Sequence, residues 1–243
     1  MFSSLFGWLD VPVAGAFHLI NPVVHALHPW VGGASIAVTI VLFTGMIRLL
    51  LLPLSRAAVR GERARATLAP RIEALRKRHK GNPQRLQAEL ATLHREANTS
   101  MFAGCLPMLA QAPFLSIMYR LFTLSTVNGR PNTLQTDALF GVPYNEHLLA
   151  AHTGLAYLIY LVIFLVLATV ATLSIRWTPV GTSPQPGGRL LRYLPYYTVA
   201  VAAILPLAGG IYLATTTTWT VVERRLLHRQ TVSSRTNPAL SGR

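Results

Sequence analysis

The chain has 243 residues, of which 51% are hydrophobic and 12% charged, and its formal net charge is +14. Soluble globular domains carry about 25% charged residues, so this composition and a mean hydropathy of +0.41 exclude an ordinary soluble domain. Apolar runs of about 20 residues instead indicate several helices that cross a hydrocarbon layer roughly 30 Å thick.

Residues 1–33 are apolar, but prolines and a Gly–Gly pair interrupt them. Their larger apolar residues recur at helical spacing: Phe17, Ile20, Val24 and Leu27. This pattern predicts a short amphipathic helix on the outer membrane surface. His18, His25 and His28 could bind a metal ion, but Asp10 is the only carboxylate nearby, so we expect no metal site. Because neither a basic secretory signal nor a lipid-accepting cysteine is present, we expect entry into the membrane through the chain's own spans.

The first membrane span is predicted over residues 34–54, where Arg48 is the single charged residue. A guanidinium in hydrocarbon costs about 2.5–3.5 kcal/mol on insertion scales, so it needs water, a partner or a substrate. Thr44, Arg48 and Ser55 are spaced so that they share one helix face. Two interpretations stay open: Arg48 lines a hydrated groove, or its side chain snorkels to the cytoplasmic boundary about 10 Å away.

Residues 55–98 change character abruptly, because half of the chain's 22 Lys and Arg residues lie in them. Asn82–Pro83 breaks this segment into two helical patterns, and proline suits the first turn of the second helix. Each arm carries a narrow apolar stripe among many like charges. The segment is therefore predicted to be a mobile, basic helical hairpin on the cytoplasmic side, and a small packed soluble domain is the alternative.

The second predicted span, residues 101–124, contains two prolines and Gln111. Prolines in a span free backbone carbonyls, which neighbouring helices or water must satisfy. Gln111 either lines the same groove as Arg48 or makes an interhelical hydrogen bond. Cys105, the only cysteine, excludes an internal disulfide and is expected to be a buried thiol. An outer loop over residues 125–152 follows.

Three further spans are predicted in the second half of the chain, at residues 153–175, 190–207 and 209–228. A Pro/Gly-rich cytoplasmic loop over residues 176–189 precedes the fourth span, and Gly209–Gly210 is expected to turn the chain before the fifth. After the fifth span we expect a disordered basic cytoplasmic tail over residues 229–243.

The last span carries a polar face, because residues with hydroxyl, indole or carboxylate groups recur there at helical spacing: Tyr212, Thr215, Thr216, Trp219 and Glu223. Trp219 could instead be an interface anchor, although it lies deeper than such anchors usually do. Tyr212 and the threonines, taken singly, could be packing residues. Polar faces of the first, second and last spans, turned towards one another, would form a wet groove that opens to the cytoplasm and holds one positive charge. Low local dielectric would strengthen its attraction for an acidic or polar segment.

The positive charges are distributed very unevenly along the chain. Lys and Arg are absent from residues 1–47, abundant in 56–98, and present again at 176–192 and after residue 223. Under the positive-inside rule this predicts an outer N-terminus and a cytoplasmic C-terminus, which require an odd number of spans. We therefore predict an all-α membrane protein with five transmembrane helices and a cytoplasmic helical hairpin between the first two. The charge then reflects topology and attraction to anionic lipids rather than sequence-specific nucleic-acid binding.

Residues that could carry catalysis are not grouped anywhere in the sequence. Paired carboxylates, a Ser-His-Asp arrangement and a Gly-rich phosphate loop are all missing, and the spans hold no Asp or Glu before Glu223. We therefore expect neither enzymatic activity nor a cofactor. A proton-coupled pump is also disfavoured, since such pumps usually need a carboxylate within the membrane.

Three segments together resemble the YidC/Oxa-type membrane protein insertase family, in its short form without a large extracytoplasmic domain. They are TGMIRLLLLPLS at 44–55, GCLPMLAQAPFLSIMYRLF at 104–122, and YLPYYTVAVAAILPLAGGIYLATTTTWTVVERRLL at 193–227. The resemblance extends over about Leu27–Arg229, and the basic hairpin lies where the family has its cytoplasmic one.

The resemblance implies an insertase of the bacterial plasma membrane that moves nascent membrane proteins, its clients, from the cytosol into the bilayer. By motif match Arg48 would contact hydrophilic parts of a client, and Gln111 and Trp219 would line the same cavity. The hairpin would capture clients, and the short basic tail would approach the ribosome or the Sec translocon. The full set of predicted client-contacting residues is Arg48, Thr44, Gln111, Tyr212, Thr216 and Trp219. A small-solute or anion transporter and a docking receptor that uses the hairpin remain alternatives.

Overall fold

The computed structural model describes residues 10–96, 116–127, 130–132, 134, 137–177 and 193–236. Helices form most of this part of the chain. In chain order they are α1 (Asp10–Val31), α2 (Ser35–Leu50), α3 (Leu52–Arg78), α4 (Pro83–Glu96), α5 (116–123), α6 (Gly154–Trp177), α7 (Tyr197–Ile204) and α8 (Leu207–Thr236). Single 3₁₀ turns lie at Gly32–Ala34, Leu148–Ala150 and Leu194–Tyr196.

Two described helical stretches, Val11–Leu50 and Gly154–Trp177, are long and apolar enough to cross a membrane, and Leu194–Ile204 is a shorter apolar one. The predominantly helical fold is therefore confirmed for the described residues. The number of five spans and their orientation stay predictions. The prediction for 153–175 differs from α6 by at most two residues at either end.

Helix α1 is longer than the short surface helix that the sequence predicts, and it packs against α2. Its apolar face is part of the core, since Val13, Ile20 and Val24 are buried. The opposite side carries His18 and His25, both exposed. The helical spacing was therefore read correctly, but the apolar face packs on protein.

The helix of the first predicted span is interrupted before residue 54, because α2 ends at Leu50 and α3 begins at Leu52. The bounds of the span itself stay a prediction. Pro53 accounts for the interruption: proline has no N–H to donate and its ring clashes with the carbonyl four residues earlier. Proline in the first turn of α3 is favourable, since that N–H would be unsatisfied anyway. Backbone bonds from Leu51 to the Ile47 carbonyl (2.9 Å) and from Ser55 to the Leu51 carbonyl (3.0 Å) keep both sides helical.

Helices α3 and α4 form a helical hairpin whose second arm begins at Pro83, where the sequence places its first turn. Asn82 caps that arm, because its side-chain oxygen accepts a hydrogen bond from the Arg85 N–H at 3.1 Å. Leu68 on one arm and Leu93 on the other are buried. A cytoplasmic position and mobility of the hairpin stay predictions.

The segment predicted as an outer loop, residues 125–152, contains two short antiparallel hairpins. Strand β1 (Thr126–Val127) pairs with β2 (Arg130–Pro131), and β3 (Ala138–Leu139) pairs with β4 (Val142–Pro143). The two residues between β3 and β4, Phe140 and Gly141, both have positive φ. That backbone conformation gives the tight turn whose twist matches antiparallel strands.

Tyr144 is fully buried and forms hydrogen bonds with the starts of both α2 and α8. Its hydroxyl donates to the Gly33 carbonyl at 2.7 Å and accepts from the Ala37 N–H at 3.2 Å. Its own carbonyl accepts from the Ala208 N–H at 3.0 Å. Burial raises the pKa of Tyr144 to about 12, so the phenol stays protonated and serves as donor and acceptor. Both helices begin near Tyr144 and pack against each other from there, so they run parallel.

The turn before α8 lies at Leu205–Pro206, which corrects the prediction that Gly209–Gly210 turns the chain. Leu205 is extended, with φ −75° and ψ 152°, because the ring of a following proline disfavours helical backbone. The two glycines lie inside α8. A Cβ added at Gly210 would lie 3.4 Å from Cδ1 of Ile163 on α6, so glycine permits close packing of these helices.

Helix α8 continues to Thr236, so the prediction of a disordered tail from residue 229 is wrong up to that point. Residues 237–243 lie outside the described part. Near its middle, α8 is held to the end of α6 by Arg225, whose guanidinium carbon lies 4.1 Å from the centroid of the Trp177 ring. Such a cation–π contact adds about 0.5–1 kcal/mol at an exposed site.

Large apolar side chains are exposed on the far side of α6, including Leu158, Leu161 and Leu165. The inner side of α6 is buried through Tyr160 and Leu167 in one core shared with α1, α2 and α8. A contiguous exposed apolar surface is unusual for a soluble protein and typical of a surface that contacts lipid or another protein.

Changing Gly33 to Ala should destabilise the fold, because the added Cβ would collide with the backbone carbonyl oxygen of Ala138. Overpacking of this kind costs about 1–3 kcal/mol. The measurement is the free energy of unfolding of the purified protein in detergent micelles. Gly15→Ala is the control, since nothing lies within 4 Å of a Cβ there. Equal unfolding free energies for the two variants would contradict the assigned contact.

Candidate functional site

The polar faces of α2 and α8 meet where these two helices pack side by side. Gly45 on α2 faces Trp219 on α8: a Cβ placed at Gly45 would be in ordinary contact with Cζ3 of Trp219, at 3.7 Å. Gly45 and Trp219 therefore lie at about the same level along the two parallel helices.

Arg48 of α2 reaches across this interface and contacts Thr216 of α8. Its Nε donates to the Thr216 hydroxyl at 3.2 Å. Its Nη2 donates to the same hydroxyl and, at 3.5 Å, to the Thr216 backbone carbonyl. The hydroxyl is enclosed, since Thr216 is only 2% exposed, whereas Arg48 is half-buried. Thr216, a neutral residue, thus supplies a hydroxyl and a carbonyl as acceptors for the Arg48 guanidinium.

The direction of the Arg48 side chain follows from the levels of its neighbours. Arg48 lies one turn beyond Gly45, away from Tyr144, whereas Thr216 lies one turn closer to Tyr144 than Trp219 does. The guanidinium therefore points back towards the Tyr144 end, as helical side chains usually do. This geometry favours a position inside the bundle over snorkelling to the opposite end.

Four threonines next to Thr216 along α8 satisfy their hydroxyls within the helix. Thr215, Thr217, Thr218 and Thr220 each donate to the carbonyl four residues earlier, at 2.7–2.8 Å. Hydroxyls bonded in this way can lie in an apolar environment without the full cost of an unsatisfied donor. These four threonines make the sequence of α8 polar, but their hydroxyls bond within the helix. The hydroxyl of Thr216 instead accepts from Arg48.

Thr44 and Tyr212, two further predicted client-contacting residues, are buried, at 4% and 3% exposure. Each lies one turn closer to Tyr144 than Arg48 or Thr216, respectively. Both side chains are therefore enclosed at the α2–α8 interface, on the Tyr144 side of the Arg48–Thr216 contact. Gln111, the remaining predicted residue, lies outside the described residues, as does Cys105.

Trp219 and Glu223 hold polar atoms that are enclosed without a hydrogen-bond partner. Among the described residues neither Nε1 of Trp219 nor Oε1 of Glu223 has one, although both atoms are buried. Glu223 was placed on the polar face of the last span but not among the predicted client-contacting residues. Two features of the sequence could have indicated Glu223 as a site residue. It lies seven residues after Thr216, and it is the only acidic residue in that predicted span.

Together the described residues form a helical protein with an exposed apolar surface on α6. Between α2 and α8 lies an internal polar seam, formed by Arg48, Thr216, Trp219 and Glu223. The chain matches the family model described as "60Kd inner membrane protein" over residues 26–234. It therefore belongs to this family of bacterial inner membrane proteins, and the resemblance to the YidC/Oxa-type family is confirmed.

Three relatives show the extent of this similarity, and each is named "Membrane protein insertase YidC". The protein of Chloroherpeton thalassium is 32% identical over 155 residues, which are 61% of this chain and 26% of the relative. That of Clostridium perfringens is 35% identical over 116 residues, 46% of this chain and 49% of the relative. That of Streptomyces avermitilis is 30% identical over 153 residues, 61% and 35% respectively. The matched segments thus span a quarter to a half of these relatives' own lengths.

Replacing Thr216 with Val should destabilise the protein by about 1–3 kcal/mol, because Arg48 loses a buried hydroxyl acceptor. Thr218→Val is the control, since that hydroxyl bonds only to its own helix in the contacts described for it. Unfolding free energies of both variants, and of each combined with Arg48→Met, give a double-mutant cycle. Additive effects of Arg48→Met and Thr216→Val would show that the two side chains do not interact.

Proposed function

We propose that this chain is a membrane protein insertase of the bacterial inner membrane, with five spans, an outer N-terminus and a cytoplasmic C-terminus. The observation that carries the proposal is the contact of Arg48 with Thr216 inside the helical bundle. Membership of the family, and the name "Membrane protein insertase YidC" of the relatives, support it. The proposed client-contacting residues are Arg48, Thr44, Gln111, Tyr212, Thr216 and Trp219.

The depth of the arginine supports a role beyond anchoring. Thr216 lies eight residues after Ala208, which puts it about 12 Å along α8 from the level of Tyr144. In the proposed topology Tyr144 belongs to the outer loop, so in a hydrocarbon layer about 30 Å thick Thr216 would lie near the middle. A cation at this depth would attract an acidic or polar segment that enters the bundle.

Insertion in this proposal is a partitioning step without bond chemistry. The wet groove beside Arg48 holds the short polar outer segment of a client and shortens its path through hydrocarbon. The client's apolar helix moves out between the spans into lipid, which is strongly favourable and needs no nucleotide. The membrane potential assists acidic outer segments, at about 2.3 kcal/mol per charge per 100 mV.

The basic hairpin of α3 and α4 would act before this step by capturing clients at the cytoplasmic surface. Anionic lipid headgroups would attract the same positive charges. The cytoplasmic end of α8 would approach the ribosome or the Sec translocon. In this scheme the protein uses no cofactor and performs no enzymatic reaction.

Photo-crosslinking to a stalled client tests the proposal against the two alternative functions. A crosslinking residue at position 48, 111 or 219 should give adducts with a ribosome-bound client that carries one 20-residue apolar segment, the length of a span. The exposed position Leu165 on α6 is the lipid-facing control. Adducts formed only by a crosslinking residue placed on the hairpin would favour a docking receptor, and no adducts at any of these positions would favour a transporter.

Replacing Arg48 with Ala should impair clients with acidic outer segments more than clients with neutral ones, because only the former use the charge. We expect a difference of about tenfold, which corresponds to about 1.4 kcal/mol. Arg48→Lys should retain part of the activity, since it keeps the charge but loses the planar fork of donors. The measurement is protease protection of each client in liposomes that contain the purified protein. Equal impairment of both clients would assign Arg48 to packing.

A further inference from the structure

Glu223 of α8 carries a charge that the fold itself does not use. It is 8% exposed, and its Oε1 has no hydrogen-bond partner among the described residues. A buried carboxylate normally has a cation or several donors beside it, because removing the charge from water is costly. Of the two arginines that follow it in sequence, Arg224 is exposed and Arg225 lies over the Trp177 ring.

Trp219, one turn earlier on the same face of α8, has a complementary unsatisfied group. Its Nε1 is a donor without an acceptor, and Oε1 of Glu223 is an acceptor without a donor. The two atoms do not satisfy each other, although residues four apart on a helix are neighbours. One face of α8 therefore holds an unsatisfied donor and an unsatisfied acceptor, and an extended polypeptide with a cationic side chain that displaces the groups covering them could satisfy both.

The position of Glu223 relative to Arg48 gives this face a defined polarity. Glu223 follows Thr216 by seven residues, so it lies about 10 Å further along α8. Arg48 is bonded to Thr216, so the face has a positive charge nearer Tyr144 and a negative charge nearer the opposite end. In the proposed orientation the carboxylate is on the cytoplasmic side of the arginine.

We propose that Glu223 binds the Lys or Arg residues that flank the cytoplasmic end of a client's apolar segment, while Trp219 donates to a client backbone carbonyl. This inference rests on the proposed insertase function and names a further client-binding group for it. Membrane spans carry an excess of Lys and Arg at their cytoplasmic ends. A carboxylate at this level would hold that end back while the outer end is drawn towards Arg48. The two charges of the seam would thereby favour one orientation of the client over the other.

The test uses two synthetic single-span clients that share one apolar segment and one neutral outer tail. One has two lysines at its cytoplasmic flank, and the other has two glutamines. Insertion is measured by protease protection in liposomes containing the wild-type protein, Glu223→Gln or Glu146→Gln. The last is the matched control, because Glu146 lies in the segment next to Tyr144 and contributes its backbone carbonyl rather than its carboxylate to the fold.

Glu223→Gln should reduce insertion of the lysine-flanked client about fivefold, as expected for loss of one ion pair whose lysine partner stays in contact with water. It should leave the glutamine-flanked client unchanged. Glu146→Gln should affect neither client. Glu223→Lys should reverse the preference when a third client with two glutamates at the same flank is added, which excludes a purely structural effect of the substitution.

Equal effects of Glu223→Gln on the lysine- and glutamine-flanked clients, or no effect on either, would overturn this inference while leaving the insertase function intact. A wild-type protein that inserts neither client above protein-free liposomes would overturn the proposed function, and the inference with it. The two failures are therefore distinguished by the wild-type measurement alone.

Discussion

The half-buried Arg48 guanidinium needs hydrogen-bond acceptors, and this requirement constrains how α2 and α8 meet. The hydroxyl and carbonyl of Thr216 supply acceptors for it, close to the level at which Gly45 of α2 lies beside Trp219 of α8. Because threonine is neutral, this contact provides acceptors without itself bringing an opposite charge to the guanidinium.

Different kinds of contact hold the helices together at the two ends of the bundle, and the polar seam lies between these contacts. At one end Tyr144 joins the starts of α2 and α8 through hydrogen bonds to backbone groups, which leave little freedom of register. Further along, Arg225 and the ring of Trp177 join α8 to α6 through a contact between side chains. Backbone bonds of the first kind are insensitive to salt, whereas exposed charge contacts are screened by it.

The sequence predicted the parts of this fold that depend on local periodicity. Helical spacing identified α6 to within two residues, the two arms of the hairpin and the face of α8 that carries Thr216 and Trp219. It could not predict Tyr144, because the partners of that hydroxyl lie more than 100 residues away in sequence. The turn before α8 was misplaced because Gly209–Gly210 was given more weight than Pro206. Glycine permits a turn, whereas proline restricts the residue before it, and the restriction decided the outcome.

Helix α7 is much shorter than the span that the sequence predicts at 190–207. Its eight residues and the preceding 3₁₀ turn rise about 18 Å, against a hydrocarbon thickness of about 30 Å. In the proposed topology this is a hydrophobic mismatch, and the lipids beside α7 must compress or let headgroups and water descend along it. In that topology, compression of the bilayer next to one wall of the protein would shorten the distance that any polar group travels there, so the short helix would lower the barrier through the lipid phase itself.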